Sequence, residues 1–153
     1  MAERRSNSSR AGTGDVDRIT VSIRISGAEL DPDDVTKLFG VAPSFAARPG
    51  DRWRAGGREF TQRTGVWSVQ FEGATGDWTL DGAIGELLER LPADLAVWKR
   101  LAAKHRLELF CGLHLASWNG GLRIPPDLLR RMADRYLELD LGIYSIESGD
   151  DAE

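Results

Sequence analysis

Between Leu30 and Pro43 the chain reads L-D-P-D-D-V-T-K-L-F-G-V-A-P, and this stretch narrows the choice of fold more than any other. Asp31 stands where an N-cap side chain accepts hydrogen bonds from the first helical turn. Pro32 suits the first helical position, and Gly40 supplies a left-handed stop. Val35, Leu38 and Phe39 share one apolar face, so a short helix with both ends specified is predicted. Strand patterns bracket it. Upstream, Ile19, Val21, Ile23 and Ile25 alternate with Thr20, Ser22, Arg24 and Ser26, the period of a half-buried strand. Downstream, from Gly65 and Val66 on, Trp67, Val69 and Phe71 face the core while Ser68, Gln70 and Glu72 face away. The intervening residues 42–64 hold Pro43, Pro49, Gly50, Gly56 and Gly57, and are expected as a long irregular loop with a turn at Gly56-Gly57.

The second half repeats the plan. After a turn over Gly73 to Asp77, Leu80, Ile84, Leu87, Leu88 and Leu91 form one helical stripe that Pro92 ends. A second helix carries Leu95, Trp98, Leu101 and Ala102 to His105, whose imidazolium is expected to cap the helix C-terminus. A strand over Leu107 to Ala116 turns Leu107, Leu109, Cys111, Leu113 and Leu115 to one face, and Glu108, Phe110, Gly112 and His114 to the other. Asn119-Gly120-Gly121 marks a turn. Ile124-Pro125-Pro126-Asp127-Leu128-Leu129 then lines up with Leu30-Asp31-Pro32-Asp33-Asp34-Val35 and starts a helix expected to bury Leu129, Met132, Ala133 and Tyr136. A last strand follows, with Leu139, Leu141 and Ile143 inward and Asp140, Gly142, Tyr144 and Ile146 outward. The predicted fold is α+β: a mixed four-stranded sheet from two β-α-β units joined by a helical hairpin, ferredoxin-like in spirit, with both single helices on one side. Residues 1–16 are expected as a disordered tail, 17–148 as one domain and 149–153 as an acidic tail.

At 153 residues one core suffices. The hydrophobic fraction of 41% and charged fraction of 29% are those of a water-soluble globule, and no apolar run is long enough for a membrane span. Arg4-Arg5 is followed by polar residues where an export signal needs an apolar run, so a cytoplasmic location is expected. A single cysteine, Cys111, excludes an internal disulfide and a multi-cysteine metal site. The net charge of -4 argues against wrapping bulk nucleic acid, which requires a basic surface.

Val21-Ser22-Ile23, Leu38-Phe39-Gly40-Val41-Ala42-Pro43, Gly50, Gly65-x-Trp67, Leu87-Leu88 and the closing Leu141-Gly142-Ile143-Tyr144 resemble the bacterial domain-of-unknown-function family DUF4279. The resemblance covers nearly everything from Ile19 to Ile146. It implies the fold and, since the family has no established catalytic residues to transfer, no activity.

Catalytic constellations fail on geometry. Cys111 and His114 lie three apart on a strand and so point to opposite faces, the cysteine among leucines where a thiol is inert. His105 and His114 have no further ligands at metal spacing, and neither glycine pair sits in a nucleotide-cradle setting. No catalytic residue, metal or cofactor is expected. Two surfaces remain. In the loop R-P-G-D-R-W-R-A-G-G-R-E-F-T-Q-R, Arg48, Arg52, Arg54, Arg58 and Arg63 outnumber Asp51 and Glu59, with Trp53 and Phe60 interleaved. Such a loop grips phosphates, carboxylates or stacked bases, or else it is a solvated loop whose Trp53 merely closes over one end of the core. The outward sheet face carries Ser22, Arg24, Gln70, Phe110, His114 and Tyr144, a polar platform with aromatic footholds provided the helical hairpin packs on the other side.

The function expected from these surfaces is a non-enzymatic binding or protein-interaction module, of which an immunity-type protein that occupies a toxin is one form. The alternative is an enzyme or small-ligand binder acting on an anionic substrate at the arginine loop or the open sheet face. A protein partner is expected and a homodimer is compatible with the sequence.

Overall fold

The computed structural model describes residues 16–71, 79–116 and 120–145. Residues 1–15 of the expected 1–16 tail, the tail over 149–153, Glu72, the turn at Gly73 to Asp77, Asn119 and Ile146 lie outside the described residues, while Val16, expected in the tail, is the first residue of a strand. In chain order the elements are β1 (Val16–Gly27), α1 (Pro32–Phe39), β2 (Phe45–Ala47), β3 (Arg52–Ala55), β4 (Arg58–Thr61), β5 (Gly65–Gln70), α2 (Leu80–Glu89), α3 (Leu95–Ala102), β6 (Arg106–Leu115), α4 (Pro126–Asp134) and β7 (Glu138–Ser145). The class is α+β, and the main sheet is mixed, but it has five strands in the order β2-β5-β1-β6-β7, with β3-β4 as a separate two-stranded sheet.

The additional strands come from 42–64, expected as an irregular loop. Strands of three or four residues are too short to show an alternation, and the prolines and glycines between them read as breakers. One consequence is topological. β5 runs antiparallel to both β1 and β2, so β1 and β2 are parallel to each other with β5 inserted between them. The first β-α-β unit is therefore β1-α1-β2, split by β5, and its closing strand is Phe45–Ala47 rather than the strand carrying Trp67. The second unit, β6-α4-β7, joins adjacent parallel strands as expected.

The α1 caps form as the residues dictate. Asp31 accepts from the Asp33 N–H at 3.0 Å, and Gly40 adopts φ 67° and donates to the Thr36 carbonyl. Val21, Ile23, Ile25, Trp67, Val69, Leu109 and Cys111 share one sheet face, packed against Val35 and Phe39 of α1, the α2 stripe, Trp98 and Leu101 of α3, and Leu128 and Met132 of α4. All four helices thus cover one face, the helical hairpin included, and the opposite face is left open. No helix among the described residues is long and apolar enough to cross a membrane.

Three expectations about burial need correction. In α4 the buried stripe is Leu128, Met132 and, just beyond the helix, Arg135, while Leu129, Ala133 and Tyr136 are exposed. The helix begins at Pro126, and its amphipathic face is set one residue earlier than the match to α1 suggested; Arg135 lays its guanidinium over the Trp98 ring, 5.9 Å from the centroid. In β7, Leu139, Leu141 and Ile143 lie on the helix side as expected, yet remain 39%, 45% and 62% exposed, because this edge strand lies beyond the reach of the helices. Finally, His105 does not cap α3 as a cation. Its backbone N–H donates to the Leu101 carbonyl, its Nδ1 is buried without a partner, and burial, aided by Lys104 and opposed by Glu29, lowers its pKa.

Candidate functional site

The arginine-rich segment folds as a hairpin. Gly56 and Gly57 both take positive φ, 58° and 76°, as a two-residue turn matching strand twist requires. Trp53 and Phe60 face each other across the pair and stack, with ring centroids 4.5 Å apart and planes at 19°. At the hairpin's root the Gly50 N–H donates to the Gln62 carbonyl and the Gln62 N–H to the Asp51 carbonyl, each at 2.7 Å. Trp53 is 48% exposed, so it does not close over the core.

The five arginines separate by role. Arg48 bridges Asp31 at 3.0 Å and also Asp33, and its backbone N–H donates to the Asp51 carboxylate at 2.7 Å. The charge of Asp31, then that of Asp33, raises its pKa. Arg48 therefore ties the hairpin's root to the first turn of α1. Arg52 makes a long contact of 3.7 Å with Glu59, both solvated, a pair worth little. Among the described residues no carboxylate pairs with Arg54, Arg58 or Arg63.

Where the hairpin's root meets the open sheet face, a groove of about 590 Å³ forms. Arg24 of β1 enters from the sheet, Arg52 and Trp53 from the hairpin, and Phe45, Ala47 and Val66 supply apolar lining. Phe45 pairs with Ser68 and Ala47 with Val66, and all four share the outward face with Arg24. The two surfaces that the residues alone presented as alternatives thus meet in one groove. Phe45, Asp51, Gln62 and Val66 line it without having been anticipated. The one signal for Phe45 was the apolar run Phe45-Ala46-Ala47 directly before Arg48, too short to stand out from a loop.

The rest of the open face divides in two. At one end Arg24 approaches Glu108 at 3.6 Å, Arg106 reaches the same carboxylate at 3.4 Å, and Arg106 Nε donates to Glu138 at 2.9 Å. Glu108 is buried between the two guanidiniums, and the hydrogen bond to Glu138, reinforced by the charge of Glu108, raises the Arg106 pKa. At the other end His114 stacks on Tyr144, centroids 4.7 Å apart, and its Nε2 accepts from Arg18 at 3.2 Å. Gln70 is exposed on β5. Among the predicted binding residues the groove brings together Arg24, Arg52 and Trp53, while Arg48, Arg54, Arg58, Gln70, His114 and Tyr144 do not line it.

Cys111 lies on the helix face, fully buried, and burial pushes its thiol up to about 12. His114 lies on the opposite face, so the two cannot act together.

No curated protein and no solved structure matches the chain. The sequence model of the domain of unknown function DUF4279 matches residues 17–146, from the second residue of β1 to just beyond β7. Since that match spans all but the first residue of the described fold, the chain belongs to the DUF4279 family.

Proposed function

We propose that this chain is a binding module that takes an acidic segment of a partner protein into the groove between the β3-β4 hairpin and the open sheet face. The observation that carries this reading is the convergence of Arg24, Arg52 and Trp53 over an apolar floor. Guanidinium groups stay charged at any physiological pH and present a planar fork to carboxylates, while an exposed indole beside them holds an apolar or cationic neighbour of the acidic group. These groups recognise charge and ring faces; they do not shuttle protons. A second reading, a small anionic ligand, is favoured by the groove's size, which falls within the range of small-molecule sites.

The test titrates the isotope-labelled chain with a Glu/Asp-rich peptide carrying one aromatic residue, and separately with phosphate and dicarboxylates. Shifts centred on Arg24, Arg52 and Trp53 are expected with the peptide. The pair Arg24→Gln with Arg52→Gln should weaken binding by about 10-fold or more, whereas Arg63→Gln, outside the groove, should leave it unchanged. Equal binding by parent and double variant would sink the groove as the site. Tighter binding of the free anions than of the peptide would select the small-ligand reading.

A further inference from the structure

Among the described residues the sheet has one edge that the fold leaves both unpaired and apolar. β7 is the outermost strand beyond β6, paired in unbroken register from Glu138 to Ser145. It carries no lysine, proline or bulge, the devices that usually keep an exposed edge from recruiting another strand. Its helix-side residues Leu139, Leu141 and Ile143 are exposed, and its outward side carries Glu138 and Asp140.

We propose that a second copy of this chain docks antiparallel on β7, about a two-fold axis at Leu141, giving one continuous sheet with five strands from each copy. The register follows from the sequence of the strand. A two-fold axis normal to the sheet keeps each face on its own side, so the central residue must oppose itself. Centring on Asp140 sets two carboxylates face to face, and centring on Leu139 sets Glu138 against the partner's Asp140. Centring on Leu141 opposes Leu141 to the partner's Leu141, Leu139 to the partner's Ile143, Asp140 to the partner's Gly142 and Glu138 to the partner's Tyr144. Every apolar residue then meets an apolar one, and no like charges meet. A shift to Gly142 keeps charges apart but leaves Leu139 against the partner's Ser145.

The chain's own ends do not match this edge. Residues 1–15 carry Arg4, Arg5 and Arg10 but contain Met1 as their one large apolar residue, and 146–153 contain Ile146 and four carboxylates, so neither end supplies apolar partners for all of Leu139, Leu141 and Ile143. A second β7 supplies the apolar complement and keeps the carboxylates of the two copies apart. β2, which walls the groove, is the opposite edge of the sheet, so the dimer would hold its two grooves at far ends and bind a partner bivalently. The dimer itself does not depend on what the groove binds.

Sedimentation equilibrium of the full chain from low to high micromolar should show a reversible dimer. Leu141→Lys and Leu141→Glu should each raise its dissociation constant by at least about 100-fold, because each places like charges together at the axis. An equimolar mixture of the two should restore the dimer. Leu141→Cys should give a disulfide-linked dimer on mild oxidation and Ile143→Cys should not, since only residue 141 meets its own copy. Cys111, buried, stays silent in this assay. A parent that is monomeric throughout, or a dimer that withstands both charged variants, overturns the proposal. Should the charged variants fail to fold, the parent's mass and the cysteine cross-link still decide it.

Discussion

Trp67 is fully buried at the centre of the core, where its indole N–H donates to Thr36 Oγ1 at 3.0 Å and its ring meets the edge of Phe39 at 5.2 Å. The Thr36 hydroxyl in turn donates to the Pro32 carbonyl at 3.2 Å, so one side chain satisfies the indole and braces α1 against β5. Trp67→Ala should cost roughly 3 to 5 kcal/mol as a large-to-small core change, read as a matching loss in chemical denaturation. An unchanged midpoint would show that the register of β5 is wrong. The inward position of Trp67 was legible from the alternation of Val66 to Phe71. Its partner was not, because Thr36 lies on a different element and only packing brings the two together.

At the scale of the element, α4 ends in a six-to-one and five-to-two closure: the Leu137 N–H donates to the Met132 carbonyl and the Tyr136 N–H to that of Ala133, each near 3 Å. This closure places Tyr136 in the left-handed region at φ 57°, where a side chain with a Cβ is strained and glycine is the usual occupant. Tyr136 is half exposed, and its conformation rather than its contacts governs its contribution. Tyr136→Gly should therefore stabilise the fold by about 1 kcal/mol, measured by urea denaturation; a loss would reveal that the tyrosine ring holds α4 in place. The helix and its start at Pro126 were legible. Its buried face was not, since the Arg135 position on the core side depends on Trp98 being there to receive the guanidinium.

The stability of the whole molecule toward acid depends on how α3 and β6 close against the end of β1. His105 packs against Gly27 so closely that a Cβ at Gly27 would lie 2.4 Å from Nδ1, and this contact helps to strip water from the ring. Burial, then Lys104, lowers its folded pKa below the ordinary 6.5, with Glu29 acting against them. The unfolded chain therefore takes up the proton more readily than the folded one. The contribution is complete above 6.5 and is lost as pH falls through the lowered folded value. Denaturation midpoints should begin to decline as pH falls below the ordinary histidine value of 6.5, ahead of the carboxylates, and His105→Gln should flatten that decline. An unaltered slope would show that His105 is solvated in the folded state. By itself the sequence determined the periodic parts of this protein: β1, α1 with both caps, the α2 stripe, the Trp67 strand and the inert Cys111, because each is set by spacing within one segment. Only the tertiary structure decided that β5 inserts between β1 and β2, that the arginine hairpin and Arg24 share a groove, and that the apolar side of β7 is left uncovered. Those outcomes turn on which strand pairs with which and how far the helix layer extends, quantities that no local pattern carries.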